Sequence, residues 1–234
     1  MFAVLDGAVR VAYDLVTGLT SALHPLTGGL GAALAIVVFT AGVRLALLPL
    51  SRRQAAAGRA RLRLAPQVEK LRERHRDDPL RAHQETTALY RAEGTSMFAG
   101  IGPALLQLPV FTVVYRLFLS PAVGGHVNLL LAHTLFGVPL GRRWLLSAGA
   151  SGPHGLVFLG LFALLALVAW WTSRRMYAGQ TPPAGPLGTV LRLLPFGTVA
   201  VAAYVPLAAG LYLLTSTAWS AAERAVLGRG AIAD

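Results

Sequence analysis

The sequence predicts an all-α, polytopic membrane protein: five transmembrane helices, an N-terminal amphipathic helix and a cytoplasmic helical hairpin. Three observations carry this prediction. Hydrophobic residues make up 55% of the 234-residue chain, charged residues 13%, and the mean hydropathy is +0.58, whereas soluble domains carry about 25% charged residues. Apolar segments can be drawn at about 31–50, 98–119, 154–173, 189–205 and 206–224, and a span needs ~20 such residues. The basic excess is concentrated in residues 51–97, with eleven Lys/Arg against six Asp/Glu. The chain then divides into an interfacial segment 1–29, a core 30–224 that contains the hairpin 51–97, and a short tail 225–234.

Residues 1–29 lack the basic start and long apolar run of a signal peptide. Leu5, Ala8, Ala12, Leu15, Leu19 and Leu23 recur every three or four positions, with Asp6, Arg10, Asp14 and Thr17 opposite. That is an amphipathic helix lying on the bilayer surface or packed against the rest of the protein. In segment 51–97, Asp78-Pro79 supplies an N-cap and a first-turn proline. A helix is expected over 55–76, kinked or divided at Pro66, and a second over 80–92, closed by Gly94. The apolar stripe (Leu64, Val68, Leu71; Leu80, Leu89) is thin, so the hairpin should pack lightly, and its arginines should attract anionic headgroups. Pro206 lacks an N–H and disfavours helix before it, which reads as a tight turn between the last two spans.

Orientation follows from arginine. With 51–97 and Arg174-Arg175 on the cytoplasmic side, the N-terminus is outside and the C-terminus, with Arg224 and Arg229, inside. Trp144, Trp170 and Trp171 are candidate interfacial anchors.

The most informative residue is Arg44, inside the first apolar run. A guanidinium stays charged, and a charge at the bilayer centre costs about 2.5–3.5 kcal/mol on insertion scales. Two readings stand: Arg44 snorkels to the interface, or it serves a buried site or water-filled cavity. Thr40 shares its helix face. Gln107 lies between two prolines in the second segment. Tyr212, Ser216, Trp219 and Glu223 share one face of the last, with Thr215, Thr217 and Ser220 widening it. Interhelical hydrogen bonding would account for most such Ser and Thr residues, at ~0.6 kcal/mol per contact. It accounts less well for Arg44, since no Asp or Glu lies at mid-span. The six histidines have no metal-ligand spacing, there is no cysteine, and no P-loop or nucleophile elbow is present. No catalytic residue, metal or cofactor is expected.

Several motifs in order resemble the YidC family of membrane protein insertases. Thr40-Ala-Gly-Val-Arg44-Leu-Ala-Leu-Leu-Pro49-Leu50 is similar to the family's first core helix with its intramembrane arginine. Leu64-Ala-Pro66 and Ala88-Leu89-Tyr90-Arg91 resemble its hairpin. Pro103-Ala-Leu-Leu-Gln107-Leu-Pro109-Val-Phe111 is similar to its second core span. Leu194-Pro195-Phe196 and Pro206-Leu-Ala-Ala-Gly-Leu-Tyr212 resemble its last two. The resemblance implies five helices around a hydrophilic groove, open to the cytoplasm and to lipid and closed outside, in a bacterial cell membrane. Arg44, Thr40, Gln107, Tyr212 and Ser216 would line it. The implied activity is non-enzymatic insertion and chaperoning of nascent membrane proteins. Lipids would be partners, and the Sec translocon, the signal-recognition machinery and the ribosome are further candidates; direct nucleic-acid binding is not implied. Thr217 and Glu223 stand where the family has Asn and Gln, and the short tail argues against ribosome tethering. Two rival functions fit the same residues: a small transporter or channel with Arg44 as an anion site, and an assembly factor that holds subunits without inserting them.

Overall fold

Ala, Leu and Val dominate long stretches free of interior turn signals, and the computed structural model, which describes residues 2–94, 112–146, 153–176 and 193–229, forms eight α-helices among them. These are α1 (Phe2–Thr27), α2 (Gly31–Ala46), α3 (Leu48–Arg74), α4 (Pro79–Ala92), α5 (112–119), α6 (Pro153–Met176), α7 (Gly197–Tyr204) and α8 (Leu207–Arg229). The fold is thus largely helical. Two antiparallel hairpins of two-residue strands, β1–β2 (Ala122–Val123, His126–Val127) and β3–β4 (Thr134–Leu135, Val138–Pro139), interrupt it. Two compact units form, one of Met1–Leu45 with Phe111–Asp234 and one of Ala46–Val110.

In the first unit, α1 buries Val9, Ala12, Val16 and Thr20, a single face at helical spacing. This is not the stripe expected from the sequence: Ala12 belongs to both, but Leu15 is exposed. The helix packs against the rest of its unit, with Asp6 paired to Arg116 of α5 and Arg10 lying beside Gly124 of the first hairpin. Asp6–Ala46 is one apolar helical stretch of 41 residues. Run straight it would reach about 60 Å, twice the hydrocarbon core of ~30 Å. Gly28, at φ +54°, prevents that. Past it, Gly31 comes so close that an added Cβ would lie 3.3 Å from backbone atoms of His24 and Thr20. Residues seven and eleven apart in a continuous helix would be ~10 Å or more apart, so the chain turns sharply here.

Only two helical stretches among the described residues, Asp6–Ala46 and His154–Arg175, are long and apolar enough to cross a membrane; Leu194–Tyr204 is a shorter apolar helix. The described residues thus contain two of the five spans expected. Much of the expected spans 98–119 and 189–205 lies outside the described residues. Helix α8 has the length, at 23 residues, but Thr215, Ser216, Thr217, Ser220 and Glu223 lower its hydropathy. The first span also ends early, at Ala46, because Pro49 sits in the first turn of α3, where its missing N–H is harmless.

Residues 120–146 form an ordered cap on the start of α8. Gly124 and Gly125, at φ +59° and +84°, make the two-residue turn that positive φ permits. Asn128 is buried and donates to the carbonyls of Leu117 and Ser120 at 2.8 and 3.0 Å. Leu130, Val138 and Leu140 are fully buried. Val205 is extended, so the helix breaks before Pro206. The first amides of α8 would lack helical partners. Leu207 N–H donates to the Arg142 carbonyl, and Ala208 N–H to the Leu140 carbonyl, both at 2.9 Å. Helices α6 and α8 pack closely, and an added Cβ at Gly210 would lie 2.6 Å from a Leu161 methyl. Trp144 packs tilted against Phe158 and edge-on to Phe162. Trp170 and Trp171 stay half-exposed, each under the guanidinium of Arg174 or Arg175 at 4.5 and 4.7 Å.

The second unit contains the helical hairpin α3–α4. Asp78 caps α4, accepting from the Arg81 N–H at 3.0 Å with Pro79 in the first turn. Pro66 lies inside a continuous α3 and does not divide it. Leu64, Val68 and Tyr90 form the core, with Leu89 against it. Leu80, expected in the stripe, is 68% exposed, and Tyr90, not expected, takes a core place.

Candidate functional site

The polar residues of α2 and α8 converge. Thr40 is buried, and its hydroxyl donates to the Ile36 carbonyl at 2.7 Å. This is the ordinary way a helix absorbs a threonine. One turn on, the Arg44 guanidinium donates to the Ser216 hydroxyl of α8, a contact across 172 residues of sequence. Ser216 is itself buried. No carboxylate takes the guanidinium in an ion pair among the described residues. The end of the side chain is thus tied to a buried hydroxyl.

The helices that carry the contact are not close-packed. Among the described residues α8 packs extensively along α6 and much less against α2, and the arginine side chain reaches from α2 to α8. Tyr212, one turn before Ser216, stacks on Phe118 of α5, with centroids 6.0 Å apart. Tyr212, Ser216, Trp219 and Glu223 line one face of α8. The opposite face, with Leu207, Leu211 and Leu214, borders an apolar groove of about 490 Å³ shared with Leu161 and Phe136. So α8 has one face for polar groups and another for hydrocarbon. Among the expected site residues, Arg44 and Ser216 meet, Thr40 lies beside Arg44 on α2, and Tyr212 neighbours Ser216 on α8. Gln107 lies outside the described residues. Sequence reasoning missed the cap at residues 120–146; its two glycine-containing turns were the available signal.

No cluster of three or more His, Asp or Glu able to hold a metal ion occurs among the described residues, and the sequence has no cysteine. The geometry among the described residues holds and orients charge.

A family described as 60Kd inner membrane protein matches residues 22–233. The chain belongs to the YidC family. A protein of Acidiphilium cryptum named membrane protein insertase YidC is 32% identical over 191 residues, 79% of this chain and 30% of that protein. One of Granulibacter bethesdensis with the same name is 35% identical over 161 residues, 68% of this chain and 25% of its own. One from Zymomonas mobilis is 28% identical over 186 residues, 79% of this chain and 31% of its own. The chain thus spans about a third or less of these YidC relatives.

Proposed function

We propose that this chain is a membrane protein insertase and chaperone, working through a hydrophilic groove bordered by α2 and α8. The observation that carries the reading is the Arg44–Ser216 contact, which joins the buried polar residues of α2 and α8. The polar backbone of a translocating segment has no partners in ~30 Å of hydrocarbon. A polar groove partway across shortens that dry path. Arg44 attracts acidic residues of the passing segment, while Thr40, Gln107, Tyr212 and Ser216 offer hydrogen bonds. The substrate's apolar helix then leaves into lipid, driven by burial at ~25 cal/mol per Å². No nucleotide, metal or cofactor takes part.

In this reading five helices cross the bilayer, with the N-terminus outside and the C-terminus in the cytoplasm of a bacterial cell. The 120–146 cap closes the outer end, because it consumes the first amides of α8. The α3–α4 hairpin receives the incoming chain from the cytoplasm. A cleft of about 330 Å³ beside its turn, lined by Arg72, His75, Arg76 and His83, suits anionic headgroups. Nascent membrane proteins are the substrates, and the Sec translocon, the signal-recognition machinery and the ribosome are the partners to test by co-purification.

The deciding experiment reconstitutes the full chain in vesicles and follows insertion of a single-span substrate with a short acidic translocated tail. Arg44→Ala should slow insertion by about tenfold, the worth of one charge-assisted hydrogen bond. Insertion at the wild-type rate removes Arg44 from the mechanism. Saturable solute flux without insertion would instead support a transporter.

A further inference from the structure

Two buried polar atoms on α8 have no hydrogen-bond partner and no part in the mechanism above: Trp219 Nε1, a donor, and Glu223 Oε1, an acceptor. They follow Ser216 by three and seven residues, on the same helix face. At 1.5 Å per residue Glu223 lies about 10 Å along α8 from Ser216, toward the end away from the 120–146 cap. Outside residues 51–97 the chain has only four acidic residues, Asp6, Asp14, Glu223 and Asp234. Asp6 is taken by Arg116. Glu223 is therefore the single carboxylate on the face that carries Ser216. Its sequence neighbour Arg224 does not neutralise it; the Arg224 side chain donates to the Ser220 carbonyl at 3.1 Å.

A buried carboxylate oxygen without a donor is costly unless a donor arrives. Water can fill that place at rest. Water alone does not explain why an acceptor and a donor of opposite polarity follow Arg44–Ser216 along one face.

We infer that Glu223 is a second binding station that takes a cationic side chain or the amino terminus of the translocating polypeptide. The inference rests on the insertase reading and deepens it. The groove becomes bipolar, with an acceptor near the end of α8 remote from the cap and a cation deeper in. The two stations are about 10 Å apart, which is about three residues of extended chain at ~3.3 Å each. The preferred segment carries an acidic and a basic residue about three positions apart.

The test uses the full chain in vesicles and one single-span substrate with four tails: neutral, acidic, lysine-bearing, and acidic plus lysine three residues apart. Wild type should insert the last tail fastest. Glu223→Gln should slow the two lysine-bearing tails by about tenfold and leave the neutral and acidic tails unchanged. Glu223→Asp should restore part of the loss, and Trp219→Phe, which removes only a donor that a cation cannot use, should leave the lysine-bearing tails near the wild-type rate. An equal slowing of all four tails makes Glu223 a structural residue and overturns the inference. So does an unchanged rate for the lysine-bearing tails. Failure of the wild type to insert any tail overturns the insertase reading itself, a result distinct from either.

Discussion

The α3–α4 hairpin and the α2–α8 region dispose of polar groups in opposite ways. The hairpin turns charge outward: Arg63 pairs with Glu93, and Arg81 with Glu85, on exposed side chains. Its interior is a small patch of Leu64, Val68 and Tyr90. Helices α2 and α8 turn polarity inward, with Thr40 and Ser216 buried and Arg44 bridging, while large apolar residues such as Val38, Leu45 and Val226 face outward. A hairpin in water is held by the little it buries. A helix in lipid gains nothing from turning leucine inward, so its interior is free to be polar. Core substitutions in the hairpin should accordingly loosen structure alone, whereas polar substitutions at Arg44–Ser216 should change both local stability and what the protein does.

The largest structural effect should come from Leu64→Ala. A fully buried leucine in a core this small should cost about 2–5 kcal/mol of hairpin stability. Amide hydrogen exchange over residues 48–92 would read it, and unchanged protection there would break the comparison. Next, Ser216→Ala leaves the Arg44 guanidinium without its hydroxyl partner and should cost about 1–3 kcal/mol in detergent unfolding. A double-mutant cycle with Arg44→Met sharpens this, because additive losses would mean the contact carries no coupling. Asp78→Ala removes the α4 cap and should cost about 1 kcal/mol, seen as faster exchange at the start of α4, with Asp78→Asn near wild type. The smallest effect belongs to Arg63→Ala. That ion pair is 67% and 38% exposed on its two side chains, so its loss should change hairpin stability by less than about 1 kcal/mol.

Particular residues show how far the sequence could be read. Asp78-Pro79 and Val205-Pro206 mark a helix start and a helix break through chemistry local to each residue, and the structure has both. Arg44 was legible because a charge in an apolar run has few explanations. Its partner was not, since Ser216 is one of several hydroxyls on α8 and lies 172 residues away. The sequence left open which face of α1 the protein covers. The helix carries apolar residues on more than one flank, and the smaller Val9, Ala12 and Val16 turn inward while Leu15 turns out. Periodicity finds an apolar stripe but does not say which apolar stripe is covered.

By itself the sequence determined the helical class, the charge excess of the hairpin, the proline breaks and the cation in the first apolar run. These follow from backbone chemistry and hydropathy, which act over a few residues. Tertiary structure alone decided that Ser216 receives Arg44, that α8 packs far more on α6 than on α2, and that the carbonyls of Leu140 and Arg142 complete the start of α8. The last are main-chain bonds, which any residue but proline can donate and any residue can accept, so no side-chain pattern announces them.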